Sequence, residues 1–126
     1  MSNFKISSLN VNGARDANKR AQIYELMKLK NIDVMFLQET HSTKENEVEW
    51  MKEWEGNIVL SHKTALSAGV AVLFSKTCLP ISYDVTEVIQ GRLIKIIAKF
   101  ENVKVELINV YAPVKSMERM SLLETL

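Results

Sequence analysis

The sequence predicts an α/β fold, from two changes in apolar periodicity and from composition. Within the first third of the chain a strand-like run, a helical run and a second strand-like run follow one another; after one more helical segment, five strand-like runs succeed each other. With 126 residues, 47% of them hydrophobic, the chain can bury one ordinary core, so disorder is not the default.

Phe4 to Leu9 alternates roughly with period two and stops at Asn10-Val11-Asn12-Gly13, which predicts a strand entering a turn. Asp16 can cap the helix that follows. Ile23, Leu26 and Met27 recur at helical spacing, with Ala17 and Ala21 on the same side, and Asn31 is suited to a left-handed stop after Lys30. Ile32 to Leu37 is a nearly continuous apolar run that breaks into Gln38-Glu39-Thr40-His41, as expected of a strand buried on both faces and pairing in parallel with the first through a right-handed crossover. Ser42 with Glu45 forms a capping-box pattern. A second helix is therefore expected from about Thr43 to Glu55, with Val48, Trp50, Met51 and Trp54 as its apolar stripe and Gly56 as its stop.

Strands are expected at Ile58 to Ser61, Gly69 to Phe74, Ile81 to Val88, Leu93 to Phe100 and Val103 to Tyr111. Glu101-Asn102 suits a hairpin link, and Ser67-Ala68-Gly69 a turn. Ser116 to Leu126 starts like a capped helix and ends without a stop signal, which reads as a domain cut short.

Sixteen basic against 15 acidic residues leave a net charge of +1, too little for a broad field toward nucleic acid, membrane or anionic polymer. Any phosphate binding must be local, with a moderate salt dependence. Cys78 is the only cysteine, which excludes an internal disulfide and a cysteine-rich zinc site and suits a small buried hydrophobe in a reducing compartment. The N-terminus lacks a signal-peptide pattern, and no apolar run nears the roughly 18 residues of a membrane span. The chain reads as soluble and intracellular, with no membrane partner.

In parallel α/β units, ligands gather outside the carboxyl ends of the strands. Asn10 and Glu39 both fall there. A carboxylate ending an apolar strand needs a cation or donors, and magnesium, which keeps several waters, is served by one carboxylate and an amide oxygen. Equally, Asn-x-Asn-Gly is an ordinary turn and a strand-end Glu is often simply solvated. Tyr111 at a later strand end is either a phosphate donor or a core ring with a wet hydroxyl. Arg92, His41 and Arg15 are each candidate phosphate contacts or surface decoration, and His62 has no partner legible in the sequence.

The ordered blocks LNVNG, LQETH, SAGVAVLF, GRLIKI and NVYAP together resemble the endonuclease/exonuclease/phosphatase superfamily, in particular the apurinic-endonuclease-like domain of LINE-type (non-LTR) retrotransposon polymerase proteins, over residues 4–126. The resemblance implies the N-terminal part of a four-layer α/β sandwich, two β-sheets flanked by helices, occupying residues 1–126. It implies that Asn10, Glu39 and Tyr111 are active-site residues, with Asn10 and Glu39 toward Mg2+, or Mn2+ in its place. Asn12, Arg15, His41 and Arg92 are expected on the substrate side. It further implies a DNA endonuclease that nicks its target to prime reverse transcription, with DNA and the rest of a retrotransposon polyprotein as partners and the nucleus as location. Phosphatases or phosphodiesterases of the same superfamily are the alternative, and a non-catalytic remnant is another. Two departures stand out: Val114 occupies a position that is commonly Asn, and the Gly-Asp-x-Asn and Ser-Asp-His blocks are absent. The chain alone is therefore expected to be inactive, and to self-associate through open strand edges.

Overall fold

The computed structural model describes residues 3–112. Among them the order is β1 (Ile6–Asn10), α1 (Ala17–Leu29), β2 (Val34–Gln38), α2 (Glu47–Glu53), β3 (Asn57–Ser61), β4 (Val70–Phe74), β5 (Ser82–Ile89), β6 (Leu93–Lys99) and β7 (Lys104–Val110). The strands form one sheet in the order β1-β2-β4-β3 and a second in the order β5-β6-β7. β1 and β2 pair in parallel, as expected from the helix between them, with Asn10 opposite Gln38. Every other pairing is antiparallel.

Alternation within the first sheet builds two apolar layers. Met35, Leu37, Ala71 and Leu73 turn toward the helices and meet Ile23, Tyr24, Met27, Trp50 and Trp54. Val34, Val70, Val72 and Phe74 turn the other way and meet Ile94, Ile96, Ala98 and Leu107 of the second sheet. β4 is buried along its whole length because it lies in the middle of the sheet with a covered face on each side. Helices, first sheet and second sheet thus form three stacked layers of the expected sandwich. The helix expected at Ser116 to Leu126 lies outside the described residues.

Asp16 caps α1 by accepting from the Asn18 amide, and Asn31 takes the left-handed φ of 52° that ends it. Removing that cap with Asp16→Ala is expected to lower stability by about 1 kcal/mol, read from the denaturant midpoint at unchanged slope. The buried face of α1 differs from the one read in the sequence. Arg20 and Tyr24 are buried with Ile23 and Met27, whereas Ala17 and Ala21 face solvent. Packing against two tryptophans, with an acidic partner on α2, rotates the helix in a way that apolar spacing does not anticipate.

α2 also differs, starting at Glu47 instead of near Thr43. Ser42 is committed to other hydrogen bonds. The reciprocal pair is formed one residue later, the Thr43 amide donating to Asn46 Oδ1 (2.9 Å) and the Asn46 amide to Thr43 Oγ1 (3.3 Å). Only half of the expected stripe is buried, Trp50 and Trp54, while Val48 and Met51 remain exposed. Trp54 donates from Nε1 to the Phe74 carbonyl (2.9 Å), and Gly56 packs so closely on that carbonyl that no side chain would fit there.

Candidate active site

The carboxyl ends of β1 and β2 continue as two loops that remain zipped together. Val11 donates its amide to the Gln38 carbonyl (3.0 Å), Gly13 to Glu39 (2.6 Å) and Ala14 to Thr40 (2.9 Å). The ladder thus extends past the strands and holds the loop after Asn10 against the loop that begins at Glu39. Asn10 Oδ1 accepts from the Asn12 amide (3.0 Å), forming the turn its sequence predicts and leaving its second lone pair for another partner.

The second loop is strained. Glu39 and His41 both have φ of 55°, and Asn12 has 49°. A non-glycine residue in this region costs about 1–2 kcal/mol and persists only where its surroundings hold it. Here the Thr40 amide donates to the Gly69 carbonyl (3.1 Å) and the His41 amide to Ala68 (3.0 Å). Gly69, itself at φ of 93°, lies so close to Thr40 that a β-carbon there would clash with Thr40 Oγ1.

The second sheet delivers Arg92 from the β5–β6 turn and Tyr111 from the end of β7. The Gly69 amide donates to the Gly91 carbonyl (2.9 Å), and the Tyr111 amide to the Arg92 carbonyl (2.7 Å). Burial and the nearby Glu39 carboxylate push the Tyr111 phenol up, against an opposing pull from Arg92. Glu39, Tyr111 and Arg92 are therefore electrostatic neighbours although they are far apart in sequence. The phenol stays protonated in the neutral range and available as a donor.

The other predicted residues form a separate group. Asn12, Arg15 and His41 line a shallow cleft with Gly13, Asp16 and Leu66, and neither Glu39 nor Tyr111 lines it. His41 Nε2 is buried without a hydrogen-bond partner among the described residues. Its ring packs on Gly13, where a β-carbon would come within 2.7 Å of Nδ1.

Residues overlooked in the sequence hold this end of the sandwich together. Buried Asn109 on β7 donates from Nδ2 to the carbonyls of Leu37 (3.1 Å) and Ala71 (2.8 Å) in the facing sheet. Its Oδ1 accepts from Gln38 Nε2 (3.0 Å), which also donates to Ser8 Oγ (3.0 Å). The side chain of the residue before Glu39 is thereby tied to both sheets. The signal for Asn109 was present: it continues the inward series Val105, Leu107 as the one polar member. Asn109→Ala is expected to cost about 1–2 kcal/mol, less than the sum of its bonds because water enters at the strand end. Thermal melting checks that value.

Glu39 and Asn10 offer one carboxylate and one amide oxygen, donor types that would suit a hard cation such as Mg2+ or Mn2+ and not a thiolate- or imidazole-seeking metal. Among the described residues no group of three His, Cys, Asp or Glu side chains is arranged for a metal. The donor set fits a hydrated hard cation.

The model of the Endonuclease/Exonuclease/phosphatase family matches residues 7–106. The chain belongs to that family. Over 121 residues, 96% of this chain, it is 39% identical to the transposon TX1 uncharacterized 149 kDa protein of Xenopus laevis, of which it spans 9%. Among solved structures it is similar to an AP endonuclease from Archaeoglobus fulgidus, with a TM-score of 0.69 at 24% identity over 96% of this chain and 48% of that one. TDP2 from Caenorhabditis elegans gives a TM-score of 0.66 at 20% identity over 97% of this chain and 40% of that one. These likenesses show the shared two-sheet fold of the endonuclease/exonuclease/phosphatase family. No helix among the described residues is long and apolar enough to cross a membrane.

Proposed function

We propose that this chain is the N-terminal portion of a divalent-cation-dependent DNA endonuclease domain in a retrotransposon polyprotein, and that it supplies the cation-holding side of the active site. The reading is carried by Asn10 and Glu39 at the carboxyl ends of the paired strands β1 and β2, with the Glu39 carboxylate and Arg92 both acting on the Tyr111 phenol. Family membership and the transposon relative support it.

In this reading Glu39 and Asn10 would hold Mg2+, with Mn2+ able to replace it. The cation would supply charge stabilisation at a phosphodiester. The protonated Tyr111 phenol donates to a phosphate oxygen, and Arg92 adds positive charge at the same side. Asn12, Arg15 and His41, grouped in their own cleft, contact the DNA backbone beyond the reacting phosphate. The Gly-Asp-x-Asn and Ser-Asp-His blocks are absent from this sequence, so the groups that activate water are proposed to come from elsewhere in the parent polypeptide. Its nick would leave a 3′-hydroxyl from which reverse transcription is primed.

The test is conversion of supercoiled plasmid to the nicked circle by the longest natural polypeptide carrying this sequence, with Mg2+ and then with a chelator. Cation-dependent nicking is expected. Release of phosphate from inositol phosphates, with plasmid left intact, would instead establish a phosphatase.

A further inference from the structure

We propose that His62 is a positioning residue for Glu39, acting through a hydrogen-bond chain that is buried at its Ser42–Thr40 end and stops on the residue after Glu39. The inference rests on the assignment of Glu39 as a cation ligand. His62 follows β3 and touches neither Glu39 nor Tyr111 through any side-chain hydrogen bond. Its Nδ1 lies 2.8 Å from Ser42 Oγ and its Nε2 3.1 Å from Glu47 Oε1. Ser42 Oγ lies 2.9 Å from Thr40 Oγ1, which also accepts from the Ser42 amide (3.3 Å). Glu47, His62, Ser42 and Thr40 therefore form one continuous chain from the start of α2 to the loop after β2.

Proton accounting gives the chain a direction. A Glu47 carboxylate can only accept, so Nε2 of the neutral ring carries the proton and donates to it. Nδ1 is then an acceptor and takes the Ser42 hydroxyl proton. Ser42 Oγ is left to accept from the Thr40 hydroxyl, and every donor finds an acceptor. Ser42 and Thr40 are fully buried, which excludes Ser42 as a nucleophile in spite of its histidine and glutamate partners. On the other side the Thr40 amide donates to the Gly69 carbonyl (3.1 Å), and any side chain at position 69 would clash with Thr40 Oγ1. Thr40 is thus held from both sides, and Glu39 enters its left-handed conformation immediately before that fixed point. Groups hydrogen-bonded directly to a metal ligand typically change metal affinity by about 10–100-fold when removed, and a residue acting through the neighbouring position is expected at the lower end.

The test measures Mn2+ binding, by loss of the free-ion electron paramagnetic resonance signal, on the longest natural polypeptide carrying this sequence, together with thermal melting. Glu39→Gln should abolish binding in the site. His62→Ala should weaken Mn2+ binding about tenfold. His62→Asn, whose Oδ1 can take the place of the Nδ1 acceptor, should restore most of the affinity. Ser42→Ala removes the middle of the chain and should resemble His62→Ala, which keeps the test decisive if His62→Ala does not fold. A melting temperature lowered with unchanged Mn2+ affinity in His62→Ala or Ser42→Ala would make the chain merely structural and overturn the proposal, as would failure of His62→Asn to recover affinity. Binding that survives Glu39→Gln unchanged would instead overturn the assignment of Glu39, and the role of His62 with it.

Discussion

Replacing Arg20 by leucine is expected to lower the stability of the domain by about 2–4 kcal/mol, although the substitution puts an apolar residue on a buried helix face. The Arg20 guanidinium is 2% exposed and donates to Glu53 through Nε (2.7 Å) and Nη2 (2.8 Å). Its Nη1 donates to the carbonyls of Ala14 (3.2 Å) and Arg15 (2.7 Å), and its carbon lies 5.7 Å from the Trp50 ring centroid. Leucine would leave two carbonyls without donors and Glu53 with only the Tyr24 phenol (2.9 Å). The same contacts predict a pH dependence. Arg20 holds the Glu53 carboxyl below its ordinary value, against the opposing effect of burial. A carboxyl depressed in the folded state contributes stability that is fully present above its unfolded value and is lost as pH falls through the folded one. Wild type should therefore lose stability below the ordinary carboxylate range, and this acid-dependent component should shrink in Arg20→Leu. Urea midpoints measured across that range check both effects; equal midpoints for the two proteins at neutral pH would show that the pair contributes nothing. Because Arg20 holds the carbonyls at Ala14 and Arg15, nicking should decline together with stability.

Glu39→Gln, by contrast, is expected to reduce cation-dependent nicking by about a hundredfold or more while leaving the fold intact. The amide keeps the size of the side chain and loses the charge proposed to hold a hard cation. Glu39→Gly separates the two properties further. At a φ of 55° glycine relieves the strain that glutamate carries, so the variant should melt no lower than wild type and remain inactive. Gel quantification of nicked circles against time, at saturating Mg2+, checks the first effect and calorimetry the second. Activity within threefold of wild type in Glu39→Gln would remove Glu39 from the site. A lowered melting temperature in Glu39→Gly would mean that the carboxylate stabilises the loop more than its backbone strains it.

The strand and helix order was legible because apolar spacing switches between periods of two and of helical length, and because Asp16, Asn31 and Glu101-Asn102 carry local turn and cap chemistry. The start of α2 was misread because Ser42 looks like a cap from its neighbours alone, whereas its hydroxyl is taken by Thr40 and His62. For the same reason nothing in the sequence marks Arg20 as buried: its acceptors lie on α2 and in the loop after β1.

Asn10 and Glu39 were located at two strand ends by periodicity, and the ordered motifs indicated their family. The sequence by itself thus determined which residues end the strands, and so which polar groups stand at the rim of an apolar core. Only the tertiary structure decided which of those groups meet. The charges of Glu39 and Arg92 reach the Tyr111 phenol, while His41 lines a cleft with Asn12 and Arg15. The reason is physical: strand ends are set by local spacing and burial, but their convergence depends on sheet pairing and on hydrogen bonds such as those of Asn109 and Gly91, which join segments far apart in the chain.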